Sequence, residues 1–231
     1  MTALYKAKIA DAFDNGVKSY DQHAFIQRQS ADLLFKRAAH LSPKHVLEIG
    51  CGTGYLTKKV KGFFPAASIT AIDIAPQMIE KCQAHIHDVD FQCHDAEEFQ
   101  AEQKYDLIIS NLTFQWFVNP QESIARLRDF LTPNGRLIFS ALGERSFWQV
   151  HDSSYVNSLI ALPQYQGQYH HEMIEIAYGQ TYKFFQSLKR IGATASIKPD
   201  PLALRRLCQD VDGRHHGKVT WHLTFHEFEP L

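Results

Sequence analysis

The sequence predicts an α/β protein built on a doubly wound, mostly parallel sheet, and three observations predict it. Val46-Leu-Glu-Ile49 is an apolar run suited to a strand buried on both faces; Gly50, Gly52 and Gly54 follow, then the helical spacing of Tyr55–Val60. A second strand, Ser68–Ile72, ends in Asp73, nineteen residues after Gly54. Beyond it, strand and helix patterns alternate without a long gap, as they do when helices cover both faces of a parallel sheet.

Residues 1–22 show no pattern that assigns them. From about His23 to His40, Ile26, Leu33, Leu34 and Ala38 fall near helical spacing, and Ser42-Pro43 stops the run. After the first two strands, Asp90–His94 is a third, leading into Asp95-Ala96-Glu97. Tyr105–Ser110 is a fourth, running into Asn111-Leu-Thr-Phe-Gln-Trp-Phe117. Asn119-Pro-Gln-Glu122 starts a helix, with Asn119 as N-cap, Pro120 at N1 and Glu122 placed to close a capping box. Ile124, Leu127 and Leu131 line its inner face, Thr132-Pro-Asn-Gly135 turns the chain, and Arg136–Ala141 is the fifth strand. Residues 144–180, rich in aromatics and histidines, read as an insertion or lid, partly helical. Phe184–Ile191 resumes a helix, and Val219, Trp221, Leu223 and Phe225 alternate in a late strand of antiparallel type, Lys218–Phe228.

Composition narrows the function. The 231 residues, 45% hydrophobic, suffice for one large domain with a packed core. A net charge of −1 argues against duplex DNA or RNA as the main partner. No run approaches the roughly 18 apolar residues of a membrane span, and the first residues lack the apolar segment of a secretory signal. Cys51, Cys82, Cys93 and Cys208 have no paired spacing and read as reduced cytoplasmic thiols, neither a disulfide frame nor a zinc site. His170-His171 and His215-His216 are not metal signatures, since adjacent histidines seldom converge on one ion.

Ligands in doubly wound sheets lie beyond the carboxyl ends of the strands. Here those ends are Gly50–Gly54, Asp73, Asp95–Ala96, Asn111–Trp116 and Ala141–Arg145, one row of polar and aromatic residues. The glycine spacing is G-x-G-x-G, unlike the dinucleotide G-x-G-x-x-G. Glycine admits a close ligand, and the helix that follows offers free N–H groups. An acid at the end of the second strand can accept both hydroxyls of a ribose. Together these features predict a nucleoside-bearing cofactor, although a glycine turn can also be a plain connection and Asp73 a helix-capping acid.

The set Glu48-Ile-Gly-Cys-Gly-Thr-Gly54, Asp73, Asp95-Ala96 and Leu131-Thr-Pro-Asn-Gly-Arg136 resembles the class I S-adenosylmethionine-dependent methyltransferases over roughly residues 45–141. Four further stretches resemble, across most of the chain, the malonyl-acyl-carrier-protein O-methyltransferase family of biotin synthesis: Tyr20-Asp-Gln-His-Ala24, Gln27-Arg-Gln-Ser-Ala-Asp-Leu-Leu34, Ser110-Asn-Leu-Thr-Phe-Gln-Trp116 and Leu188-Lys-Arg-Ile-Gly-Ala193. The resemblance implies a seven-stranded Rossmann-like sheet. It also implies one domain over 1–231, with a helical cover (1–44), a cofactor core (45–142), a lid (143–180) and a C-terminal helix and strands (181–231). The chain departs from the pattern at Asn134-Gly135, where many methyltransferases have Gly-Gly, and the stretch after Gly143 matches the family's lid entry only loosely.

Carried over residue by residue, the resemblance places S-adenosylmethionine, and its product S-adenosylhomocysteine, against Glu48, Gly50, Gly52, Gly54 and Asp73. Ile74, Met78, Asp95 and Ala96 would meet the adenine. Asn111, Leu112 and Gln115 would run beside the sulfonium, and Tyr20, Gln27 and Arg28 would cover the site. No metal is expected. The substrate implied is a malonyl thioester on acyl carrier protein, or malonyl-coenzyme A, whose free carboxylate is methylated.

A carboxylic acid with a reference pKa near ~4 is already ionised at neutral pH, so the reaction needs no general base. Phe114, Trp116, Phe117, Phe147 and Trp148 can wall a dry pocket, and Tyr20 and Arg145 are the candidates for positioning the substrate, with Arg205 and Arg206 behind. Acyl carrier proteins are strongly acidic, and Lys183–Lys218 holds eight Lys and Arg against three Asp, including Arg205 and Arg206. The competing readings are a small-molecule carboxyl methyltransferase of the trans-aconitate type, an amine or hydroxyl methyltransferase, which would need a base, and a cofactor-binding domain without catalysis.

Overall fold

In the computed structural model, which describes residues 2–150, 165, 168–193 and 200–231, the strands alternate with helices as far as the fifth strand. Two helices open the chain, α1 (Thr2–His23) and α2 (Phe25–Ala38). Then come β1 (His45–Ile49), α3 (Tyr55–Phe63), β2 (Ser68–Asp73), α4 (Pro76–His85) and β3 (Asp90–Cys93). β4 (Tyr105–Asn111), α5 (Pro120–Asp129) and β5 (Leu131–Leu142) complete the alternation. β6 (Gln168–Ala177), α6 (Thr181–Arg190), α7 (Pro201–His215) and β7 (Lys218–Phe228) follow. The strands form one sheet in the order β3-β2-β1-β4-β5-β7-β6. β1 to β5 pair in parallel, and β7 runs antiparallel between β5 and β6.

The apolar runs of β1, β4 and β5 are continuous because both faces of the sheet are covered. Alternate residues enter opposite cores. Val46, Leu107, Ile109 and Ile138 pack with α2, α3, α6 and α7. Leu47, Ile108, Leu137 and Phe139 pack with Ile124 and Leu127 of α5.

Several expectations are corrected in detail. The unassigned N-terminus is the 22-residue helix α1. It buries Ile9 and Val17, and its Gly16 lies against α6: a Cβ there would come within 2.9 Å of the Gly192 backbone nitrogen. Asn119 makes no side-chain cap; the Glu97 carboxylate accepts the N–H groups of Val118 and Asn119, both at 2.8 Å, and so holds the start of α5 from another loop. Thr132-Pro-Asn-Gly135 is no separate turn. It is absorbed into β5 as a register shift opposite Tyr105–Leu107. Residues 168–177, inside the expected lid, are edge strand β6, of which only Ile174 and Ile176 are half-buried among residues 169–177. With so little buried face, it leaves no period-two signal. The rest of the expected lid beyond Val150 lies largely outside the described residues.

Candidate active site

β1 lies where the strand order reverses, between β2 and β4, so the crevice opens at its carboxyl end. There Gly50 and Cys51 donate backbone N–H bonds to the Ile72 carbonyl at 2.8 and 3.1 Å. The Asp73 carboxylate accepts the Gly52 N–H through Oδ2 (2.8 Å) and the Ala75 N–H through Oδ1 (2.9 Å). The Ile74 N–H adds a third backbone donor to the same carboxylate. Gly52 has φ +53°, and a Cβ on it would meet only the Tyr20 hydroxyl, 3.9 Å away, so it is the glycine that leaves room for a ligand. A Cβ on Gly50 would instead strike the Thr113 side chain at 2.1 Å.

These residues line a cleft of about 660 Å³ that runs along the strand ends. Ile74 and Met78 form one side, Asp95 and Ala96 the far end, and Lys6, Ile9, Phe13 and Tyr20 of α1 cover it. Lys6 Nζ reaches Asp95 Oδ1 at 3.1 Å and pairs with Glu97, latching α1 to the loop after β3. Burial would raise the Glu97 pKa, but Lys6 and the two capping N–H groups outweigh it and hold the carboxyl below its usual range.

Glu48 lies beneath the glycine turn, 1% exposed, and its Oε2 has no hydrogen-bond partner. Burial, reinforced by the Asp73 charge, pushes its pKa up to about 8. A buried acceptor without a donor invites a cationic or N–H-bearing group. Asp73 on the cleft wall, Glu48 in the recess beneath the turn, a glycine gap and an apolar slot at Ile74–Met78 together fit a nucleoside carrying an ammonium group.

A second chamber, of about 680 Å³, adjoins the cleft and shares Phe13, Tyr20, Leu112 and Trp116 with it. Phe147, Phe184, Leu188 and Trp221 make most of its other wall. Its polar side-chain groups are the Tyr20 hydroxyl, the amides of Gln27 and Gln115 and the indole N–H groups of Trp116 and Trp221, the last donating to the Tyr178 hydroxyl at 3.1 Å; no described Asp, Glu, His, Lys or Arg lines it. Gln115 Nε2 donates to the Leu112 carbonyl at 2.7 Å, and its buried Oε1 has no partner. Leu112, at the seam, takes φ +51°, uncommon for a branched residue, and is held there by its N–H bond to Ser140 Oγ at 3.1 Å. Burial and the Asp73 charge raise the pKa of Tyr20 far above the usual phenol range, so its hydroxyl stays protonated.

The cleft therefore gathers Tyr20, Gly50, Gly52, Asp73, Ile74, Met78, Asp95, Ala96, Asn111, Leu112 and Trp116. Gln27 and Gln115 face the chamber instead, and Glu48 and Arg28 lie in the recess under the turn. Gly54 caps α3 outside both spaces. Phe114 is fully buried, stacked on Phe139 with ring centroids 4.1 Å apart; it is core, not wall. Trp148 is 50% exposed and donates to Thr220 Oγ1.

The arginines expected to position the substrate are not brought to either space. Past β5, Gly143 packs against the His222 ring, and the Arg145 side chain is left exposed. Arg205 and Arg206 are exposed on α7. The sequence reading missed Lys6, Ile9 and Phe13, although Ile9, Phe13, Val17 and Tyr20 recur every three or four residues, a legible helical stripe.

Residues 47–137 match a family described as a methyltransferase domain. Among curated proteins, the malonyl-[acyl-carrier protein] O-methyltransferase of Anoxybacillus flavithermus is 38% identical over 205 residues, covering 80% of this chain and 79% of that one. The protein of the same name from Priestia megaterium is 32% identical over 262 residues, covering 95% and 96%. Among solved structures, the YcgJ protein of Bacillus subtilis has a TM-score of 0.63 at 15% identity, covering 88% of this chain and 99% of that one. Coclaurine N-methyltransferase, solved with N-methylheliamine and SAH, has 0.56 at 16% identity, covering 86% and 71%. At such identities the likeness shows the fold alone.

Proposed function

The chain belongs to the malonyl-[acyl-carrier protein] O-methyltransferase family, an S-adenosylmethionine-dependent family, and from that premise we propose that it methylates the free carboxylate of a malonyl thioester carried on acyl carrier protein, opening pimeloyl formation for biotin. The observation that carries the reading is the chamber beside the cofactor cleft, apolar and without a titratable base among its described lining residues. An amine or hydroxyl acceptor needs such a base, and Tyr20 is held protonated. A carboxylate does not, because it is already ionised.

S-adenosylmethionine, when bound, supplies a methyl group on a sulfonium cation. Asp73 would accept its ribose hydroxyls, Ile74, Met78 and Ala96 would pack on its base, and Glu48 would face its ammonium end. The remaining work is alignment and exclusion of water. Tyr20, at the seam of both spaces, donates to the carboxylate while Phe13, Leu112 and Trp116 keep the junction dry. Alignment of this kind is worth on the order of 7–11 kcal/mol. Opposite charges cancel as the methyl moves, so a site of low polarity favours the reaction. Neutral donors also suit it better than an arginine, which would stabilise the ionised substrate more than the charge-depleted transition state.

The test is incubation with labelled S-adenosylmethionine and, in separate reactions, malonyl-acyl carrier protein, malonyl-coenzyme A, trans-aconitate and free malonate, with mass spectrometry of the products. A methyl ester on the carrier-bound malonyl group is expected. Labelling of free diacids alone would return the chain to the small-molecule carboxyl methyltransferase reading.

A further inference from the structure

The chamber does not end at its own wall. Gln27, Ile191 and Trp221 also line a groove of about 1100 Å³ between the α1–α2 junction, α6 and the β6–β7 edge. Its floor is apolar, with Ile26, Ile176, Tyr178 and Trp221. Gln22, Gln186 and Ser187 supply hydrogen-bonding groups along it. At its rim stand Lys183 and Arg190, both exposed. Neither has a carboxylate partner among the described residues, and no described Asp or Glu lines the groove. On the same elements, Glu175 is paired with Lys218 and Asp21 with Lys81. Arg190 Nη1 lies 3.0 Å from His23 Nε2, and burial and that guanidinium both lower the His23 pKa, leaving Arg190 as the charge.

Groove, chamber and cofactor cleft thus lie in series, joined first by Gln27 and Trp221 and then by Tyr20 and Trp116. A free dicarboxylate needs only the inner two. We infer that the groove receives the flexible amide-bearing arm of the thioester and that the Lys183–Arg190 rim docks the acidic carrier protein at its mouth. This rests on the substrate reading above. It moves the docking face from Arg205 and Arg206 on α7 to α6 and the α1–α2 junction. Unpaired cations beside an apolar slot suit an acidic protein delivering an arm with a neutral, amide-bearing middle, because the field steers the encounter while the slot fixes the register.

The experiment compares malonyl-acyl carrier protein with malonyl-pantetheine, which has the arm and no carrier. Arg190→Glu and Lys183→Glu should each raise the KM for the carrier-bound substrate at least tenfold more than that for malonyl-pantetheine, and added salt should raise the wild-type carrier KM toward the variants' values. Lys183→Glu, at an exposed position, keeps the test available should Arg190→Glu fail to fold. Equal effects on both substrates would overturn the docking face, as would a loss that follows Arg205→Glu and Arg206→Glu instead. A wild-type enzyme that methylates neither thioester would sink the substrate reading itself, which is a separate outcome.

Discussion

At the scale of single residues, the proposed cofactor contacts include two acids, the buried Glu48 and the half-buried Asp73. Asp73 has both oxygens placed by backbone N–H groups. Asp73→Ala should weaken S-adenosylmethionine binding by roughly 1–3 kcal/mol, the scale of lost bonds to a charged acceptor, as read by calorimetry; unchanged affinity would remove it from the ribose. Glu48 carries a prediction about the protein alone. Its folded pKa of about 8 stands far above the ~4.3 of a free glutamate, so the folded state holds its proton more tightly than the unfolded chain. The stability this contributes is complete below pH ~4.3 and drains as pH rises, by about 1.4 kcal/mol per pH unit, until the folded group itself ionises near 8. Ligand-free wild type should therefore lose Tm between pH 5 and 8 relative to Glu48→Gln, whose amide cannot ionise. Parallel Tm profiles for the two proteins would show that Glu48 does not titrate there.

At the scale of elements, helix α1 decides whether the two inner spaces exist. It covers the cofactor cleft with Lys6 and Ile9 and walls both spaces with Phe13 and Tyr20. Its position depends on a glycine contact: Gly192, after α6, has φ +78°, and a Cβ on it would lie 2.5 Å from the Ala12 carbonyl oxygen. Gly192→Ala should destabilise α1 by about 2 kcal/mol and weaken cofactor and thioester binding together. Hydrogen exchange should rise across residues 2–23 and stay slow in β1–β5; uniform acceleration would mean that α1 does not open independently. The same comparison shows what the sequence discloses. β1, β2 and β4 were legible because strands covered on both faces read as apolar runs ending in glycine or polar residues. α1 shows itself only through the stripe Ile9, Phe13, Val17 and Tyr20 among lysines and aspartates, and β6 is an edge strand with little to bury. Asp73 and Gly52 were legible because strand ends place them without help from distant residues. The chamber was not, because Phe184, Leu188 and Trp221 reach it from elements far along the chain, whereas Arg145, next to β5 in sequence, is exposed and lines neither space.

At the scale of the whole molecule, the sheet separates binding from chemistry. The carboxyl ends of β1 to β4 supply the polar cleft, and the added β7 with α6 closes the apolar chamber against it. Among the described residues, Glu48 and Asp73 on the cleft side have raised pKa values, while no Asp, Glu, His, Lys or Arg lines the chamber and its phenol, Tyr20, is held protonated. The pH dependence of the reaction should reflect this division. With cofactor and thioester both saturating, kcat should stay flat within about twofold from pH 6 to 8, because the malonyl carboxylate ionises well below that range and the described chamber lining holds nothing to deprotonate. The apparent KM for S-adenosylmethionine, in contrast, should fall as pH rises toward 8, since ionised Glu48 faces the cofactor's cation better than neutral Glu48 does. A kcat that climbs tenfold per pH unit near neutrality would require a general base and would remove the carboxylate from the reaction, whatever the cofactor side does.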